Sequence, residues 1–79
     1  MLTPIDVTLC SDPSRAEAFV ELRTAGFVWA EVFYQPLREA YVARFFDSTP
    51  AGLDLPAVRK ALRDAQQLLV ARGGPVLPE

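Results

Sequence analysis

The sequence predicts an α+β domain in which a three-stranded antiparallel meander, at about 18–24, 27–35 and 40–47, carries one C-terminal helix near 56–72 across one face. Three observations predict it. Residues 18–34, AFVELRTAGFVWAEVFY, alternate in hydropathy on either side of Gly26 and are rich in β-branched and aromatic side chains. A proline turn at Gln35-Pro36-Leu37-Arg38 leads into a third alternating run. Beyond Pro50 and Gly52, apolar residues recur at helical spacing between a capping aspartate and a glycine stop.

In chain order, residues 1–17 form an N-terminal extension or an edge strand. Ile5 to Cys10 alternates like a strand. Ser11-Asp12-Pro13 followed by Glu17 could instead open a helix running to Ala25, which would make the fold βαββα. In that helix Ala16, Phe19, Val20 and Leu22 scatter around the wheel and leave a poor apolar face, so the hairpin explains more residues.

Thr24-Ala25-Gly26 suits a three-residue hairpin loop with Gly26 in the left-handed conformation. It pairs Arg23 with Phe27, Leu22 with Val28 and Val20 with Ala30. Ala18, Val20, Leu22, Val28, Ala30 and Val32 then share one face free of polar side chains. Phe19, Glu21, Arg23, Phe27, Trp29 and Glu31 share the other, and a one-residue slip would mix the two sets.

With residues 36–39 as the second loop, Gln35 pairs with Ala40, Tyr34 with Tyr41, Val32 with Ala43 and Ala30 with Phe45. Glu31 then meets Arg44, and Trp29 meets Phe46. In the helix Asp54 is the N-cap, Pro56 lies in the first turn and Gly73 ends it. Its stripe is Val58, Leu62, Ala65 and Leu69, flanked by Ala61 and Leu68, the natural lid for the apolar sheet face. The domain proper is residues 18–73, and the tail at 74–79 is expected to fray.

Composition excludes more than it assigns. The chain has 79 residues, a formal net charge of −2 and no histidine. That removes histidine-based metal sites and histidine-activated nucleophiles. Cys10 is the one cysteine, so no internal disulfide can form, which fits a reducing, cytoplasmic compartment. Its thiol reads as a small apolar side chain. The longest apolar runs, such as Phe27 to Ala30, are far short of the ~20 residues of a membrane span, and no signal-peptide pattern opens the sequence.

Candidate chemistry is sparse. Glu21 and Glu31 share a predicted face, but Arg23 and Arg44 beside them would hold both ionised, which defeats acid–base work. Asp47, Asp54 and Glu39 show no calcium-loop spacing, and the glycines form no phosphate cradle. Ser48 and Thr49 are turn residues with no base to activate them. The expectation is a non-enzyme without cofactor or metal.

Two binding readings remain. The aromatic side chains Phe19, Phe27, Trp29, Phe33 and Phe46 occupy the face away from the helix, and an uncovered apolar face of this kind marks a protein interface. Its partner would be a second copy or another protein, with Trp29 at the centre, unless residues 1–10 fold over it through Ile5, Val7 and Leu9. The other reading is nucleic acid, stacked on the same aromatics and held by Arg23, Arg44, Arg59, Lys60 and Arg63. Glu21 and Glu31 in the middle of that face argue against it.

VELRTAGFVWAEV, Val20 to Val32, with the LDLPAV start of the helix, resembles small uncharacterised bacterial domains that run VEL, a glycine turn, then WAE. The resemblance spans about residues 18–70. It implies a hairpin and a helix cap, a bacterial source, and no catalytic residues.

Overall fold

A computed structural model of the protein describes residues 4–77. Residues 1–3 of the segment offered as the alternative cover for the aromatic face, and 78–79 of the tail expected to fray, lie outside the described residues. The chain forms β1 (Asp6–Cys10), β2 (Phe19–Thr24), β3 (Phe27–Gln35), β4 (Ala40–Phe45) and α1 (Leu55–Ala71). The strands make one antiparallel meander in the order β1-β2-β3-β4, and α1 packs against it. The α+β reading stands, with four strands where the sequence predicted three.

The added strand comes from the N-terminal segment. Asp12 stops β1 with a side-chain turn, its Oδ1 accepting from the Ser14 N–H and hydroxyl, both at 2.9 Å. The chain then returns as β2 and not as a helix over 13–25, so the βαββα alternative is excluded. Val7 faces Leu22 and Leu9 faces Val20, which sends Ile5, Val7 and Leu9 against the core on the helix side. They extend the sheet sideways and do not cross the aromatic face.

The first hairpin differs from expectation in one residue, with large consequences. Its loop is Ala25-Gly26 alone, with φ of +53° and +83°, as a two-residue turn with both φ positive requires. Thr24 pairs with Phe27 and Arg23 with Val28, yet Leu22 pairs with Ala30, so Trp29 is an extra residue in a bulge. Val20, Leu22, Ala30 and Val32 still face the helix, but the hairpin tip is turned over. Val28 now lies on the side of Arg23, and Phe27 and Trp29 on the side of Thr24 and the helix. Ala25 sits in a left-handed conformation that disfavours a Cβ. Ala25→Asn is therefore expected to raise stability by about 0.5–1 kcal/mol in urea denaturation.

The second hairpin follows the predicted register from Gln35/Ala40 to Ala30/Phe45. Pro36 occupies the second position of a turn closed by the Arg38 N–H on Gln35 C=O at 3.1 Å. The strand ends at Phe45, before the expected 47.

The helix is capped by Asp54, whose carboxylate accepts from the Ala57 N–H at 3.1 Å, with Pro56 in the first turn. Ala61, Ala65 and Leu69 are its buried line, with Val58, Leu62 and Leu68 half-buried beside it. Two small alanines on successive turns let the helix approach the sheet closely. The core joins that line to Val20, Leu22, Trp29, Ala30 and Val32. Trp29 is fully buried, its indole N–H donating to the Thr24 hydroxyl at 2.9 Å. Among the described residues, no helix is long and apolar enough to cross a membrane.

Candidate interaction surfaces

The face away from the helix is a salt-linked surface. Register places Thr8, Glu21, Glu31 and Arg44 in one row across the four strands. Glu31 is 5% exposed and pairs with two arginines, Arg44 at 3.0 Å and Arg15 at 3.1 Å. Arg15 reaches in from the β1–β2 loop, with its guanidinium 3.9 Å from the Phe19 ring centre and 5.8 Å from that of Phe33. Arg44 lies 5.4 Å from the Phe46 ring. The aromatic groups on this face are therefore roofed by guanidinium planes that buried carboxylate holds in place.

Glu21 is committed in the same way. Arg23 donates to it at 2.6 Å, and this hydrogen bond holds the Glu21 carboxyl below the usual range while raising the arginine. Cys10 donates its thiol to the same carboxylate at 3.3 Å. Burial, and then that hydrogen bond, push the thiol up, so it stays protonated and is a poor nucleophile. A carboxyl depressed in the fold stabilises above its unfolded value of about 4.3 and loses that contribution as pH falls through the folded value. Glu21→Gln is accordingly expected to flatten the fall in melting temperature below about pH 5, read by circular dichroism.

The structure does not bring the predicted interface residues together. Phe19 is buried under Arg15, Phe33 and Phe46 are half-buried, and Trp29 is in the core. Phe27, 68% exposed, projects on the helix side of the hairpin tip. The expected centre at Trp29 is thus corrected: the bulge turns the indole away from the aromatic face, and its C=O, not its ring, meets Phe46, through the Phe46 N–H at 2.8 Å. The basic residues are divided as well. Arg23 and Arg44 are paired on the outer sheet face, while Arg59, Lys60 and Arg63 lie on the helix, with Lys60 bound to Asp64.

A cleft of about 510 Å³ opens where the β1–β2 loop meets the helix C-terminus, lined by Asp12, Arg15, Glu17, Tyr34, Tyr41 and Arg72 among others. Tyr41 closes its floor by donating to Pro75 C=O at 2.6 Å and meeting Tyr34 edge-on at 5.2 Å. Gly74 is needed there, because a Cβ would lie 2.9 Å from the Leu69 backbone oxygen as well as against the Tyr41 hydroxyl. Acids and bases line the cleft together, so it selects no ligand charge.

The margin of the sheet along β4 is the surface that sequence reasoning missed. The helix packs mainly on β1, β2 and β3, with β4 at its margin. Phe45, opposite Ala30 on the helix side, is 54% exposed and stacks on Trp29 at 6.1 Å and 15°. Tyr41 and Ala43 continue the same side, half-buried. The signal in the sequence was the helix stripe itself, too narrow to roof four strands. Among the described residues, no group of three or more acids or cysteines is placed to hold a metal ion. No protein-family model matches the chain, nor does any curated protein or solved structure.

Proposed function

We propose that the chain is a small non-catalytic protein-interaction module that binds through the β4 margin of its sheet. The observation that carries this reading is that β4 is an edge strand with Phe45 largely exposed and Tyr41 and Ala43 half-buried on its helix side. An edge strand offers unpaired backbone donors and acceptors, and natural sheets protect such edges with prolines, lysines or bulges. AYVARF has neither proline nor lysine, and Arg44, its one charge, is bound to Glu31 on the outer face. Glu21 and Glu31 are each engaged by arginine and the thiol is held protonated, which supports a binding role over catalysis.

Photo-crosslinking tests the reading. A benzoyl-phenylalanine at position 45 is expected to form adducts with a defined protein chain in cell extract, and the same group at the exposed Gln67 is not. Equal labelling at both positions, or none at 45, would contradict the reading. Nucleic acid gains no support from the arrangement, since its proposed contacts lie on opposite sides of the molecule; binding of a single-stranded oligonucleotide that weakens steeply with salt would revive it.

A further inference from the structure

We infer that the partner at the β4 margin is a second copy of this chain, paired strand to strand about a two-fold axis through Ala43. The inference rests on the interaction-module reading and adds the identity of the partner and the register. The Phe46 N–H donates to Trp29 C=O at 2.8 Å, just beyond the Ala30/Phe45 pair. In an antiparallel ladder that position marks Ala30/Phe45 as a non-hydrogen-bonded pair, and Val32/Ala43 and Tyr34/Tyr41 follow by alternation. The N–H and C=O groups of Tyr41, Ala43 and Phe45 therefore point away from β3, to the open edge. Those of Ala40, Val42 and Arg44 are used within the sheet.

These three residues are complementary to themselves. With Ala43 opposite Ala43 of the second copy, Tyr41 falls opposite Phe45, and Phe45 opposite Tyr41. Every outward-facing residue of the strand then lies in a pair that exchanges both backbone hydrogen bonds. The same register sets two Tyr–Phe contacts on the helix side, where Phe45 is 54% exposed. On the outer side Arg44 falls opposite Val42. Sliding one way by a residue on each strand puts Arg44 opposite Arg44, with like charges facing. Sliding the other way puts Phe45 opposite Glu39, a turn residue at φ +51°, and leaves part of the edge unmatched. The sheet becomes continuous through both copies, with both helices on one face beside the aromatic seam. A single strand pair is smaller than the roughly 800 Å² per partner of a standard interface, so the dimer dissociates in the micromolar range or above.

Sedimentation equilibrium on the purified chain, with disulfide trapping in a Cys10→Ser background, tests both partner and register. Wild type is expected to pass from monomer to dimer between micromolar and millimolar concentration. Ala43→Cys is expected to form a covalent dimer on oxidation, because directly opposed residues in such a pair have Cα atoms about 5.5 Å apart, within disulfide reach. Val42→Cys, opposite Arg44, is expected to cross-link far more slowly. A monomer at millimolar concentration, or equal trapping at both positions, would overturn the inference. If the chain stays monomeric while position 45 still labels a different protein in extract, the second copy alone is wrong; if both signals are absent, the interaction reading falls with it.

Discussion

Trp29→Ala is expected to remove about 3–5 kcal/mol of stability and leave the domain unfolded or nearly so at 25 °C. The indole is completely buried as part of the core cluster, stacks on Phe45 and carries a hydrogen bond to Thr24. A domain of this size holds only about 4–12 kcal/mol in total. Collapse cannot refill so large a hole, since Ala30, Ala61 and Ala65 of the same core cluster are too short to move into it. Urea denaturation followed by circular dichroism reads the loss. A folded variant losing less than about 1 kcal/mol would place Trp29 at a surface, contrary to the bulge.

The second large effect centres on Glu31. Its carboxylate is nearly inaccessible, whereas Arg15 and Arg44 keep 32% and 62% of their side-chain surface. Removing the two partners is therefore not equivalent to removing the acid. Arg15→Met combined with Arg44→Met strands a buried charge and is expected to destabilise by about 3 kcal/mol. Adding Glu31→Leu to that pair is expected to recover most of the loss, because the remaining groups are apolar and stack on Phe19 and Phe33. Denaturant midpoints of the three proteins check this, and a triple variant no better than the double would contradict it.

Elements that declare themselves by period or by cap were legible in the sequence. The β3–β4 register followed from keeping Arg44 off the apolar face, and the helix from Asp54, Pro56 and the apolar recurrence between them. Val20, Leu22, Ala30 and Val32 were placed on the core side for the same reason. The bulge was not legible, because FVWAEV alternates equally well with or without one extra residue at Trp29. Ala25 hid the turn type, since a left-handed alanine is uncommon where asparagine or glycine is usual. The pairing of β1 depended on a long connection, 11–18, that carries no register information. Arg15, from that same loop, has no periodicity to announce its place over Phe19 and Phe33. The aromatic face reads as uncovered in the sequence because nothing there places the loop arginine over it, and β4 reads as covered because a helix stripe does not announce how many strands it spans.

Amide hydrogen exchange by NMR, measured as a function of protein concentration, tests most directly the claim that the β4 edge is the contact surface. The amides of Val42 and Arg44 are committed to β3 and are expected to be protected at every concentration. Those of Tyr41, Ala43 and Phe45 are expected to exchange rapidly in dilute protein and to become protected together as the dimer forms. Persistently fast exchange of these three at millimolar concentration, or protection that rises equally in β1, would contradict the account.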